Sequence, residues 1–302
     1  MTELHRYRTL VFDNARWAAY RHHPGDIVIS TPPKCGTTWM QNIVGMLVLG
    51  TTAFDRPMAE LSPWVDQCVR SVDDMVALTE SLEHRRFVKS HTPLDGLPWH
   101  DDVTYIAVGR DPRDVAVSWQ DHWDNMDLDR LVSLRAEAVG LDDLVEFPPF
   151  APPPEDRVER FWQWMTTREV PEFSTGLQFL VLHLRSFWER RHEPNVVLVH
   201  YADLQADLTG EMRRLAERLD VRVTEDDLAR MAEAATFESM RSRPEELAPN
   251  AGQIWKDISR FFSQGGSGRW RALIDDSEIG RYDDIVRELS TDDEFLSWLH
   301  RP

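Results

Sequence analysis

Residues 26–39 read Asp26-Ile27-Val28-Ile29-Ser30-Thr31-Pro32-Pro33-Lys34-Cys35-Gly36-Thr37-Thr38-Trp39, and this stretch decides the fold. The β-branched run Ile27–Ile29 reads as a buried strand, the Pro-Pro-Lys-Cys-Gly segment as a loop, and Thr37–Leu49 as a helix. A helix that opens straight out of such a loop leaves its first-turn N–H groups unpaired, and its dipole adds partial positive charge there. Lys34 adds a full charge, so the segment has the outline of a phosphate cradle. It is not a Walker loop, in which the lysine follows a second glycine. Here the lysine precedes the loop's glycine by two residues, which points to a different phosphate ligand.

The alternation continues along the chain. Asp26–Ser30, Arg86–Ser90, Val103–Gly109 and Asn195–Tyr201 read as strands, apolar and β-branched with little alternation, as parallel strands covered on both faces require. Helices are expected at Thr37–Leu49, Asp114–Trp123, Leu177–Arg191, Leu208–Leu219 and Glu225–Ala235. Strand–helix alternation predicts α/β architecture: a single three-layer domain over residues 1–302, with a central parallel sheet flanked by helices and a P-loop-like phosphate-binding loop. The proline-rich segment 147–154 reads as a rigid loop, and residues 252–268, with four glycines, as a mobile or ligand-wrapping loop. A lid over an acceptor is expected at about 147–173, and a nucleotide-wrapping loop at about 252–270.

With 34 basic and 52 acidic residues the formal charge is −18. That charge argues against nucleic acid or a long sulfated glycan as partner, while a local basic pocket for a small anion remains compatible with it. Cys35 and Cys68 give no disulfide framework and no metal cluster is discernible, so no metal is expected. No apolar run is long enough to span a bilayer, and the first 20 residues lack a signal-peptide core. A cytoplasmic location is the plain expectation. Oligomeric state is left open.

Four polar groups follow strand ends: Lys34, His91, Arg110 and Tyr201. In an open parallel sheet the strand carboxyl ends share one edge, where ligands bind. His91 is suited to general-base work at neutral pH. Asp111 fits a helix N-cap and Pro112 the first helical position, which returns Ser118 to the same helix face almost two turns on. Arg110 and Ser118 could together hold a second phosphate. Taken singly, each has a plain alternative: a surface histidine, an exposed arginine, an ordinary helical serine. The tryptophans, among them Trp64, Trp119 and Trp162, are compatible with an apolar acceptor pocket or with core, and none is assigned.

In combination these residues resemble the cytosolic-type sulfotransferases, which transfer a sulfuryl group from 3′-phosphoadenosine 5′-phosphosulfate (PAPS) to a hydroxyl or amine. Lys34–Trp39 is similar to the family's 5′-phosphosulfate loop, with Cys35 in a serine position. Lys89-Ser90-His91, Arg110–Ser118, Tyr201-Ala202-Asp203-Leu204 and Phe237–Met240 resemble its later motifs, in order, from about Asp26 to Trp270. Residues 92–97, 200–203 and 240–243 look like actinobacterial, mycobacterial glycolipid-type, members. The resemblance implies a small-molecule or lipid-like hydroxyl acceptor, with PAPS as co-substrate. It implies His91 as general base, Lys34 on the leaving phosphate and Lys89 on the sulfuryl oxygens. It also implies Cys35, Gly36, Thr37 and Thr38 around the 5′-phosphate, Trp39, Tyr201 and Phe237 around adenine, and Arg110, Ser118 and Gly265 at the 3′-phosphate.

One departure stands out. Where the family carries two cations before Gly265, this chain has Ser263 and Gln264. Arg260, Arg269 or Arg271 is expected to compensate. An alternative is therefore a catalytically impaired sulfotransferase-like protein that binds nucleotide without turnover. A P-loop kinase is disfavoured by the lysine spacing.

Overall fold

Four short strands are built from the expected β-branched runs: β1 (Ile27–Ser30), β2 (Phe87–Ser90), β3 (Thr104–Gly109) and β4 (Val196–His200). All pair in parallel in the order β2-β1-β3-β4. The computed structural model describes residues 4–146, 152–168, 175–249, 254–262 and 265–302. Residues 147–151 and 169–173 of the expected lid fall outside the described residues, as do Ser263 and Gln264, while its middle forms the helix Arg157–Thr166 with Phe161, Trp162 and Trp164 buried in the core.

The strands are buried on both faces, and alternate residues feed two different cores. Ile27, Ile29, Ile106, Val108, Val197 and Val199 pack with α1 (Thr37–Leu49) and with helices Leu208–Arg218 and Glu225–Ala234. Val28, Val88, Tyr105 and Ala107 face the other way, against Trp17, Tyr20 and Phe187. Helix α2 (Pro112–Asn125) packs on helices Arg157–Thr166 and Leu177–Trp188. The protein is thus a single α/β domain in three layers, as the alternation predicted.

Local chemistry explains the boundaries that place the site. Asp111 caps α2, its carboxylate accepting from the Arg113 N–H at 2.9 Å, and Pro112 occupies the first turn. Helix α1 differs: its N-cap is Gly36 with φ 102°, and no side chain caps it. Its first-turn N–H groups are left for something else. Two C-terminal helices, Asp276–Leu289 and Asp293–Leu299, were not anticipated; they bring Tyr282, Val286, Phe295 and Trp298 into the core beside α2.

Candidate active site

Each strand of the sheet delivers one or more functional groups to a single cavity. From the β1–α1 loop come Lys34, Gly36, Thr37, Thr38 and Trp39; from β2, Lys89 and His91. Arg110 follows β3, with Ser118 on α2, while Tyr201 follows β4. Phe237 and Gly265 line the same cavity. The cavity, mouth included, holds about 1240 Å³ of empty space.

The loop's shape is unusual for its residues. Lys34 itself lies at φ 70°, followed by Gly36 in the left-handed region. A Cβ on Gly36 would approach the Tyr201 ring to 3.2 Å, so glycine serves both the turn and the close approach. The turn sends Cys35 inward, fully buried beside Val115 and Ala116. Its N–H bonds to the Pro32 carbonyl at 3.3 Å, and burial pushes the thiol up to about 12. Cys35 therefore does not line the cavity, unlike the rest of the expected set; it supports the loop from beneath.

His91 has a defined tautomer. Its Nδ1 lies 2.6 Å from the Thr31 carbonyl oxygen, which can only accept, so Nδ1 carries the proton and Nε2 holds the free lone pair. Burial, together with Lys89, pushes its pKa well below the ordinary histidine value. The ring is therefore neutral at pH 7. Trp64 meets it edge-on, with centroids 4.7 Å apart, and the Lys89 ammonium sits 3.9 Å from the Trp64 ring centre.

Two buried lysines share this space. Burial, with Lys34 as a further cause, lowers Lys89 to about 7, against the partial support of Asp66. Burial and then Arg110 lower Lys34 to about 8. Two buried cationic groups on one cavity, only partly offset by Asp66 and Asp121, favour a bound anion. The donor groups also show gaps of the right kind: Arg110 Nε and Trp39 Nε1 are buried with no partner among the described residues. The Arg110 guanidinium otherwise donates to the carbonyls of Lys34 and Gly266 and lies 4.1 Å from the Tyr201 ring centre.

Several cavity residues had no sequence assignment. His122 accepts from Lys34 Nζ at 3.3 Å. It lies four residues after Ser118, so helical spacing from Ser118 was the available signal. Phe12, Trp64, Trp119, Leu131, Ile254 and Trp255 form an apolar, largely aromatic half. Asp66 lies beneath β2, accepting from Trp17, Trp64, Ser90 and Thr92. Of the three arginines expected to compensate at the 3′-phosphate, Arg260 and Arg269 line a neighbouring pocket. Arg271 stacks on Trp270, 4.3 Å from its ring centre.

Residues 24–294 match the family model of the sulfotransferase domain. The chain is 43% identical to a glycolipid sulfotransferase of Mycobacterium bovis, over 99% of this chain and 95% of the relative. It is 26% identical to mouse sulfotransferase 1B1, over 89% of this chain and 84% of that one. Among solved structures, mouse SULT7A1 complexed with PAP superposes with a TM-score of 0.68 at 17% identity, covering 99% of this chain and all of that one. Retinol dehydratase with androsterone and PAP superposes at 0.66 and 18% identity, covering 93% and 87%. This chain belongs to the sulfotransferase family. It is a sulfotransferase whose sulfuryl donor is PAPS. The impaired, binding-only alternative finds no support. No described helix is long and apolar enough to cross a membrane.

Proposed function

We propose that the protein transfers the sulfuryl group of PAPS to a hydroxyl of a lipid-like, glycolipid-class acceptor, in the cytoplasm. The observation that carries this reading is the single cavity in which Lys34, Lys89 and His91 meet an aromatic chamber. The relatives named as glycolipid sulfotransferases support the acceptor class.

In this reading Trp39, Tyr201 and Phe237 hold the adenine, and Arg110 with Ser118 takes the 3′-phosphate. The uncapped first turn of α1 and the Thr37 and Thr38 hydroxyls hold the 5′-phosphate. The acceptor oxygen attacks sulfur as the sulfur–oxygen bond to the 5′-phosphate breaks. His91 Nε2 takes the acceptor's proton, its Thr31 bond having fixed the tautomer that leaves this nitrogen free. Lys34 neutralises the charge left on the departing phosphate, and Lys89 faces the sulfuryl oxygens. Positioning and charge stabilisation accompany this proton transfer, and no covalent intermediate is needed.

The test is turnover of labelled PAPS with a glycolipid and with a simple phenol as acceptors. A higher kcat/KM for the glycolipid is expected. Preference for the phenol would overturn the acceptor class while leaving the sulfotransferase intact.

A further inference from the structure

Two neutral imidazoles line the cavity with opposite polarity. His91 carries its proton on Nδ1, which is bonded to the Thr31 carbonyl at 2.6 Å, and its Nε2 keeps a lone pair. His122, on α2, is the reverse. The Lys34 ammonium has only donors, so the Nδ1 of His122 that it meets at 3.3 Å accepts. The proton of that ring therefore sits on Nε2. Burial comes first, then Lys34, Lys89 and His91, in keeping the ring from taking a second proton.

The Nε2–H of His122 is a free donor. It meets no acceptor among the described residues, and it is not buried away from the cavity that the ring lines. Neighbouring polar groups are already committed. Trp64 gives its indole N–H to Asp66 at 2.5 Å, and Trp255 gives its own to the Pro249 carbonyl at 2.8 Å. Thr9 Oγ1 accepts from the N–H groups of Val11 and Phe12 at 3.1 and 3.2 Å.

The two nitrogens of an imidazole point to nearly opposite sides of the ring. Nε2 of His122 therefore faces away from Lys34, and so from the departing phosphate that Lys34 neutralises. Trp119 and Trp255, whose ring centroids lie 5.6 and 4.9 Å from that of His122, belong to the aromatic half of the cavity. The free donor thus stands on the acceptor's side. The oxygen that attacks sulfur does so with a lone pair, and a hydrogen bond to that oxygen would hold the lone pair back. A different oxygen of the acceptor fits the donor better.

We propose that His122 selects the acceptor: its Nε2–H donates to a second oxygen adjoining the hydroxyl that is sulfated, so the acceptor is a polyol or glycoside rather than an isolated alcohol. This selection rests on the lipid-like acceptor and on the role of His91 given above. The two histidines treat the two oxygens in complementary ways, His91 accepting a proton from one and His122 donating a hydrogen bond to the other. An alcohol that lacks the second oxygen leaves the donor unpaired in an aromatic chamber, which disfavours it.

The experiment compares octane-1,2-diol with 1-octanol as acceptors of label from PAPS, in wild type, His122→Phe and His122→Gln. Phe keeps the ring's bulk and loses the donor, whereas Gln keeps an N–H donor. Any loss of rate through Lys34 slows both acceptors alike and cancels in the ratio of their kcat/KM values. Wild type is expected to prefer the diol at least about tenfold, and His122→Phe only about twofold, the factor for carrying two hydroxyls. His122→Gln should recover part of the preference. A wild-type preference no larger than the statistical factor would overturn the proposal, and this arm depends on no variant's stability. A full preference kept by His122→Phe would overturn it too, because another group would then be sensing the second oxygen. Turnover of neither alcohol by wild type would instead overturn the lipid-like acceptor on which the selection stands.

Discussion

The Lys34 ammonium donates to Nδ1 of His122 across 3.3 Å, and both groups border the cavity that holds His91. His122 is caged by Trp119, Trp255 and Phe261, with ring centroids 5.6, 4.9 and 6.5 Å away. Burial, then Lys34, pushes its pKa well below the ordinary histidine value, so it is a neutral acceptor that aims the lysine. Replacing His122 with Phe keeps the cage filled and removes the acceptor. Steady-state kinetics should show kcat reduced on the order of tenfold, as expected of a misplaced catalytic group, with donor KM little changed. An unchanged kcat would show that Lys34 needs no such guide.

The two lysines predict a pH dependence of nucleotide affinity. An anion binds their charged forms, so it raises their pKa values and binding takes up protons. In the free protein Lys89 gives up its proton from about pH 7 and Lys34 from about pH 8. Affinity for 3′,5′-ADP should therefore fall as pH rises through this range. Each lysine contributes up to about tenfold per pH unit. Calorimetry in buffers of different ionisation enthalpy should report proton uptake at pH 8; constant affinity from pH 7 to 9.5 would refute the assignment.

Asp66 predicts a stability effect. Its buried carboxylate accepts from Trp64 at 2.5 Å, Ser90 at 2.5 Å, Thr92 at 2.6 Å and Trp17 at 3.2 Å. Asp66→Asn turns an NH₂ group toward donors and should cost about 3 kcal/mol in urea unfolding. Activity should fall too, because the Trp64 ring it holds packs on both His91 and Lys89. A loss below about 1 kcal/mol would mean that the network is not needed.

Gly265 predicts a local binding defect. A Cβ there would stand 2.8 Å from the Phe237 ring. Gly265→Ala should therefore displace the ring and weaken 3′,5′-ADP several-fold, on the order expected for one lost aromatic contact. The unfolding temperature should hardly move. Unaltered affinity would remove Phe237 from the nucleotide site.

The parts legible in the sequence were those governed by local rules. The four β-branched runs became the four strands within a residue or two, and α1 has the expected bounds, Thr37–Leu49. The Asp111-Pro112 start of α2 followed from capping chemistry alone. Convergence of Lys34, His91, Arg110 and Tyr201 followed from parallel topology, since every strand end lies on one edge. What stayed hidden depended on tertiary folding. Motif spacing could not tell that the left-handed turn at Lys34 rotates Cys35 under the loop. Thr9, Val11 and Phe12 reach the cavity from far up the chain, and Trp64 owes its place to Asp66. No local pattern announces such contacts.

The central claim is that one rim of the sheet holds donor and acceptor between Lys34 and His91. Its most direct test is single-turnover sulfuryl transfer from labelled PAPS to a glycolipid by wild type and His91→Ala, with 3′,5′-ADP binding measured on both. The account predicts that wild type turns over. The variant should bind nucleotide within about threefold of wild type and transfer at least about a hundredfold more slowly. Transfer by His91→Ala at the wild-type rate, with nucleotide binding intact, would contradict it.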